Sequence, residues 1–320
     1  MEISSGGPRQ QSLWTGITDN EWFNVVSHIP AIDEVNFWQP GGGSRAFRSL
    51  QPGEPFLFKL HSPLNYIVGG GFFAHWTRLP ISLAWEAFGE KNGALSFEDM
   101  RYLIIAHRGS QNDKYEDFHI GCILLEQPFF FNRSDWIPVP ADWKAPTQQG
   151  KHYDMQTEPG KSLWQRIRSM LDRKPGYWPG TRIEGAAEYS ALALVKRRLG
   201  QGSFRILVAD AYNRACAITE EHTLPALEAA HIRPFNLEGP NAVYNGLLLR
   251  SDIHRLFDKG YITVTPDLRI EVSRRIREEF ENGRHYYPFH GRKLHHLPSD
   301  PADRPAAELL SWHNERVFRS

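Results

Sequence analysis

The sequence predicts an α+β protein of two domains. Its 320 residues exceed the usual size of one domain, and 41% of them are hydrophobic, which is enough to form two cores. Residues 1–155 contain short apolar runs separated by glycine and proline, a pattern typical of a compact mixed β-barrel. Residues 216–258 show a different order of strand, turn, strand, loop and helix, which predicts a second unit of another kind.

The first unit is predicted to contain strands with a few helices between them. Asp19 and its neighbours are good helix-capping residues, so a helix is predicted within residues 12–30. Three glycines in one of the apolar runs predict a bulge or a close approach of two backbones. The other predicted elements are strands within 34–47, 52–61, 65–73 and 120–131, a helix at 79–88, and a strand or helix at 100–107.

Four motifs of this region resemble the PUA superfamily, which includes the EVE, ASCH and SRA domains. They are V-N-F-W-Q-P, L-Q-P-G-E-P-F-L-F-K-L, N-Y-I-V-G-G-G-F-F and I-G-C-I-L-L. The resemblance implies a pocket that grips a flipped nucleobase, and such a base needs aromatic stacking partners. Phe37 and Trp38, beside a glycine-rich loop, are the first candidates for that pocket. The alternative is that both aromatic rings belong to the hydrophobic core.

Charge is unevenly distributed along the chain although the net charge is +0. Residues 161–200 contain 9 basic and 3 acidic side chains, whereas residues 1–160 contain 12 basic and 18 acidic ones. We therefore predict a basic helical linker over 156–202, between a base-reading domain at 1–155 and a second domain at 203–320. The linker residues Lys196, Arg197 and Arg198 are predicted to contact the DNA backbone, unless the cluster is only a solvated helix face.

The second unit is predicted to hold a catalytic site. Residues 216–219 and 227–232 are predicted to pair as a hairpin, and Leu247 to Phe257 to form a helix. His231 would then end a strand and His254 would lie on the facing helix, with Asp258 four residues further on the same helix face. The chemistry suggested is metal-assisted phosphodiester hydrolysis. His254 and Asp258 would hold a divalent cation, and His231 would accept a proton from the attacking water.

The segments L-E-A-A-H-I-R-P, N-G-L-L-L and I-H-R-L-F-D resemble the HNH nucleases, whose fold is a ββα hairpin and helix around one metal ion. The resemblance implies that His231 is the general base, Asn245 the middle asparagine of the motif and His254 a metal ligand. Many members carry Asp or His directly before the general base as a further ligand, and Ala230 stands there in this chain. Glu228, Asp258 or a water molecule is left to fill that position.

Together the two resemblances imply a modification-dependent restriction endonuclease that cuts double-stranded DNA carrying modified cytosine, with Mg²⁺ or Mn²⁺ as the cofactor. Members of the HNH group often nick one strand, so a double-strand break would require a homodimer or two bound molecules. Two alternatives stay open: a sensor of modified nucleic acid with an impaired nuclease centre, and a nuclease directed by a partner protein. No apolar run approaches the roughly 18 residues of a membrane span, and the N-terminal segment lacks the apolar core of a signal peptide. A cytoplasmic protein with reduced cysteines is expected.

The remaining segments predict accessory elements around this unit. Gly260 is expected to end the motif helix as its cap. Further predictions are a helix over 204–212, a hairpin of 261–265 with 269–272, and a helix over 306–318.

Overall fold

A computed structural model describes residues 11–41, 46–108, 117–144, 149–173 and 200–320. The chain divides into two compact units, residues 1–196 and residues 197–320. Each unit has its own cluster of buried hydrophobic side chains, as expected for two domains of an α+β protein. None of the helices in the described ranges has the length and apolar character needed to span a bilayer.

The N-terminal unit is built on one seven-stranded sheet, whose strands are numbered β1 to β7 along the chain and are given with their residues at the end of this paragraph. Their order across the sheet is β2-β5-β4-β3-β1-β7, and β6 pairs with β4. Strands β1 and β3 are parallel, and the other pairs are antiparallel. The pairings of the described strands form an open path with β2 and β7 at its ends. The strands are β1 (Ser12–Thr18), β2 (Glu34–Gln39), β3 (Pro55–Leu60), β4 (Tyr66–Pro80), β5 (His119–Phe130), β6 (Ile137–Pro138) and β7 (Gly150–Asp154).

Helix α1 (Asn20–Val26) confirms the predicted helix and its cap. The carboxylate of Asp19 accepts the backbone N–H groups of Glu21 and Trp22 at 2.7 and 3.0 Å, which satisfies two of the free donors at the start of the helix. The preceding residues 12–18 form strand β1 and not part of a helix. This strand was not predicted, because its pairing depends on two distant strands.

The glycines of β4 confirm the predicted irregularity in that strand. The register between β4 and β5 shifts between Gly70 and Phe72. A Cβ atom at Gly69 would lie 2.2 Å from the carbonyl oxygen of Phe129, so the two backbones approach too closely for any side chain.

Three α-helices besides α1 accompany this sheet in the described part of the N-terminal unit. The segment at 100–107, for which the sequence left strand or helix open, is helical. In the last of these helices Leu163, Trp164, Ile167 and Leu171 are buried in the core of the N-terminal unit. Residues 174–199 of the predicted basic helical linker lie outside the described residues. The three helices are α2 (Ile81–Phe88), α3 (Phe97–Arg108) and α4 (Gly160–Arg173).

The C-terminal unit has two small antiparallel sheets, β8 with β9 and β10 with β11. The second pair confirms the predicted hairpin that follows the motif helix. The helix that precedes the motif and the one near the C-terminus are also confirmed. The elements are α5 (Gln201–Ala211), β8 (Leu227–His231), β9 (Gly246–Arg250), α6 (Ser251–Asp258), β10 (Ile262–Val264), β11 (Ile270–Val272), α7 (Arg275–Phe280) and α8 (Ala307–Arg316).

The partner of β8 differs from the prediction. Strand β8 pairs with β9, and residues 216–219 form a turn in which the N–H of Thr219 donates to Sγ of Cys216. Residues 247–249 are three consecutive leucines, each at most 1% exposed. Such a run is buried on both faces, so its periodicity does not separate a strand from a helix. The helical pattern therefore begins only at Ser251.

The end of α6 is defined by Gly260, which adopts a positive φ of 75° and donates its N–H to the carbonyl of Phe257 at 2.9 Å. This confirms the predicted glycine cap, because a residue with a side chain is strained in that conformation.

His313 of α8 lies in the core beneath α6 and is 2% exposed. Its ring stacks on Phe257 with centroids 3.8 Å apart. Its Nε2 lies 3.2 Å from the Phe257 carbonyl and its Nδ1 lies 2.8 Å from the Thr263 hydroxyl. The carbonyl accepts from Nε2–H and the hydroxyl donates to Nδ1, so both contacts suit the neutral ring.

We expect His313 to make the C-terminal unit sensitive to acid. Burial lowers the pKa of His313 to about 4, whereas an unfolded histidine titrates near about 6.5. The unfolded chain therefore binds a proton that the folded chain does not, and stability present above about pH 6.5 is lost as the pH falls toward 4. The loss is at most about 1.4 kcal/mol per pH unit. Denaturation midpoints of this unit should fall more steeply between pH 7 and 5 in the wild type than in His313→Gln; parallel curves would contradict this assignment.

Candidate active site

The candidate site is built on the β8–β9 hairpin and helix α6. His231 ends β8 and pairs with Gly246, the first residue of β9. The loop of residues 232–245 thus leaves and returns at the same level of the hairpin, and its ends are joined by the Ile232 N–H, which donates to the Asn245 carbonyl at 2.9 Å. Helix α6 follows β9 directly and carries His254 and Asp258.

Two neighbours fix the ring of His231. It stacks on Phe204 of α5 with centroids 3.8 Å apart and an angle of 11° between the planes. Its Nε2 lies 2.8 Å from Oδ1 of Asn241. Burial lowers the pKa of His231, and this effect outweighs the hydrogen bond to Asn241, which acts in the opposite direction. The ring is therefore neutral at neutral pH, which is the form that accepts a proton.

Asn245 holds the loop that follows His231. It is fully buried, its Oδ1 accepts the N–H of Arg233 at 2.9 Å, and its Nδ2 donates to the carbonyls of Arg233 and Pro240 at 2.9 and 2.8 Å. The loop is compact around this side chain, since a Cβ atom at Gly239 would lie 1.8 Å from the Arg233 carbonyl oxygen. The amide group of Asn245 is thus used in bonds to the backbone of the loop.

His254 lies between two carboxylates. Its Nδ1 is 2.6 Å from Oε2 of Glu228, and its Nε2 is 3.4 Å from Oδ2 of Asp258. Burial would lower the pKa of His254, but the hydrogen bonds and charges of Asp258 and Glu228 together raise it. The side chains of Glu228 and Asp258 are 43% and 56% exposed, so the cluster opens to solvent. The charges of His254 and Asp258 also act on the pKa of His231, which indicates that these three side chains lie near one another.

Ala230, which stands where many HNH nucleases have a metal ligand, is fully buried in the core. Glu228 is two residues earlier on β8, so both side chains leave the same face of the strand. This placement explains how the carboxylate of Glu228 reaches helix α6.

The donor set suits a divalent cation held by few protein ligands. Nε2 of His254 and a carboxylate oxygen of Asp258 are adjacent, while Glu228 is bonded to the other ring nitrogen. A carboxylate that accepts Nδ1–H orients a ligating histidine so that Nε2 faces the metal. Within the described ranges no three or more His, Cys, Asp or Glu side chains are grouped to hold a metal ion. Mg²⁺ usually keeps several waters and binds one or two carboxylates plus substrate phosphate, so a small donor set that includes Asp258 fits this ion.

Phe37 and Trp38 lie on β2 of the N-terminal unit. Trp38 is 8% exposed, and its indole N–H donates to the carbonyl of Asn92 at 2.9 Å. Phe37 packs on Phe56, with ring centroids 4.8 Å apart. Both rings are engaged with the protein interior, and their assignment to a base pocket stays a prediction. Lys196, Arg197 and Arg198 lie outside the described residues.

Sequence reasoning missed two residues that touch His231. Phe204 lies on helix α5, 27 residues before His231, and Asn241 lies inside the loop. The sequence carries no periodic signal for either contact. The only hint is that Asn241 follows Gly239 and Pro240, which mark a tight loop.

Comparison with known proteins gives one family match. Residues 216–265 match the family model described as HNH endonuclease. This match identifies an HNH domain in the C-terminal unit and confirms that part of the sequence resemblance. A search of curated proteins found no match.

Two solved structures show low similarity to this chain. The ASCH protein from Zymomonas mobilis is similar over 49% of this chain and 94% of its own length, with 12% sequence identity and a TM-score of 0.31. The modification dependent TagI restriction endonuclease is similar over 95% of this chain and 81% of its own length, with 11% identity and a TM-score of 0.28.

Proposed function

We propose that this chain is a divalent-metal-dependent DNA endonuclease that cuts double-stranded DNA carrying modified cytosine. The observation that carries the nuclease part is the placement of a neutral, half-buried His231 near the His254–Asp258 pair within the HNH domain. A proton acceptor next to a cation-binding pair is what hydrolysis of a phosphodiester requires.

His231 acts as the general base in this mechanism. It accepts a proton from a water molecule whose oxygen attacks the phosphorus. One ester bond of the phosphate breaks, and the departing sugar oxygen takes a proton from solvent. His254 and Asp258 would hold the divalent cation, Mg²⁺ or Mn²⁺. When bound, the cation supplies Lewis-acid stabilisation of the negative charge that develops on the phosphate.

Asn245 and Glu228 serve this site as positioning residues. Asn245 bonds only to loop backbone among the described residues, so it sets the shape of the loop that follows His231 and does not touch the reacting atoms. Glu228 accepts Nδ1–H of His254 and so directs Nε2 toward Asp258. The sequence left Glu228 open as an extra metal ligand. Here Glu228 is instead assigned as the group that orients His254.

The dependence on modified cytosine is assigned to the N-terminal unit. Its support is the resemblance of the four sequence motifs to the PUA superfamily and the compactness of residues 1–196 as a unit of its own. A hydrolase without a gate would damage any DNA, and a base-reading domain supplies one by gripping an extruded base.

We expect wild-type protein to cut plasmid containing 5-methylcytosine or 5-hydroxymethylcytosine faster than unmodified plasmid, with Mg²⁺ or Mn²⁺ present. Excess EDTA should stop cleavage of all three substrates, because the cation is removed. The measurement is a time course of supercoiled, nicked and linear plasmid at equal protein concentration. Equal cleavage rates on the three plasmids would contradict the dependence on modified cytosine but not the nuclease assignment. Cleavage that persists in EDTA would contradict the metal mechanism.

A further inference from the structure

The loop between β8 and β9 contains a second buried asparagine besides Asn245. Asn241 is 7% exposed, and its Oδ1 lies 2.8 Å from Nε2 of His231. A carboxamide oxygen only accepts hydrogen bonds, and a neutral imidazole carries its proton on one nitrogen. We propose that Asn241 is a positioning residue that fixes His231 in the Nε2–H tautomer, which makes Nδ1 the atom that accepts the proton from water. This inference rests on the proposed function for the role of His231 and adds the identity of the reacting nitrogen.

The loop is folded in a way that holds Asn241 at this place. The carbonyl of Pro240, the residue directly before it, accepts Nδ2–H of Asn245 at 2.8 Å and the N–H of Ala242 at 3.0 Å. Gly239 donates its N–H to the Pro234 carbonyl at 3.0 Å. The backbone on both sides of Asn241 is thus held by hydrogen bonds within the loop.

The two contacts of the His231 imidazole restrict different properties of the ring. The stack on Phe204 sets the plane of the ring, while the bond to Asn241 sets its rotation and its tautomer. Within the described part of the chain, no hydrogen bond is made to Nδ1 of His231. That nitrogen is the one left to a water molecule. A partner that fixes the tautomer favours catalysis, because in the other tautomer Nδ1 carries a hydrogen and cannot accept a proton from water.

The test compares two substitutions of similar size. Asn241→Leu removes the acceptor, and Asn241→Asp keeps an acceptor oxygen at the same place. The first readout is the pair of ring nitrogen chemical shifts of His231, measured by ¹⁵N NMR on the full chain without DNA at about pH 8, where the ring is neutral. The His231 signals are identified by their loss in His231→Gln. The second readout is kcat and KM for plasmid cleavage.

We expect the wild type and Asn241→Asp to show protonated Nε2 and unprotonated Nδ1. Asn241→Leu should show averaged shifts from a mixture of tautomers, and its kcat should fall about 10–100-fold with KM little changed, as for other partners that orient a functional histidine. A wild type with protonated Nδ1, or unchanged His231 shifts in Asn241→Leu, would overturn the proposal. If Asn241→Leu does not fold, the wild-type and Asn241→Asp spectra still decide it. The expected NMR pattern in a wild type that cuts no DNA would count against the proposed function and not against the tautomer.

Discussion

His231→Ala is expected to lower the rate of DNA cleavage about 10²–10⁴-fold and to leave DNA binding nearly unchanged. The imidazole is the proton acceptor in the proposed mechanism, and the hydrogen bonds of Asn245 that hold the loop do not depend on it. The effect is measured as the single-turnover rate on modified plasmid with protein in excess, together with a binding titration in EDTA.

The controls for this result separate chemistry from folding. Loss of the ring also removes the stack on Phe204, so His231→Gln, which keeps more of the volume, is measured beside His231→Ala. Both variants should lose cleavage, and an unfolding midpoint shows how much of the domain's stability each retains. His285→Ala, which removes an exposed histidine of the same unit, should cut at the wild-type rate. Wild-type cleavage by His231→Gln would remove His231 from the role of base.

How far the sequence predicts this domain depends on the range of the interactions involved. His231 and His254 were recognisable because their spacing and their flanking apolar residues form a local pattern. The partner of β8 was not recognisable from the pattern. Two segments, residues 216–219 and residues 246–250, were both apolar enough to pair with it, and the choice depends on burial of the leucines on both faces.

The N-terminal unit shows the same limit. Strand β5 was predicted almost to its ends because an apolar run of that length is buried wherever it lies. Strand β1 was missed because its residues S-L-W-T-G-I-T become a strand through pairing with β3 and β7, which are distant in sequence. Whether the sheet closes is decided by its two edge strands, and no local pattern reports on that. The contact between Asn241 and His231 could not be predicted for the same reason. The two side chains meet only after the loop has folded around Asn245.

His254→Ala is expected to abolish metal-dependent cleavage by a larger factor than Glu228→Gln. His254 offers Nε2 beside Asp258, so its loss removes one of two adjacent donors. Glu228→Gln retains an oxygen that accepts Nδ1–H, so it weakens the orientation of the ring without removing a donor. Substitutions of such orienting partners typically cost about 10–100-fold in metal affinity or activity, and removal of the ligand itself should exceed that range.

The measurement is cleavage rate as a function of Mn²⁺ concentration, with Mn²⁺ binding followed directly on the same samples. If Glu228→Gln loses as much Mn²⁺ affinity as His254→Ala, then Glu228 is a ligand and the orienting role is wrong. If His254→Ala keeps wild-type Mn²⁺ affinity, the cation is held elsewhere and the placement of the metal at α6 fails.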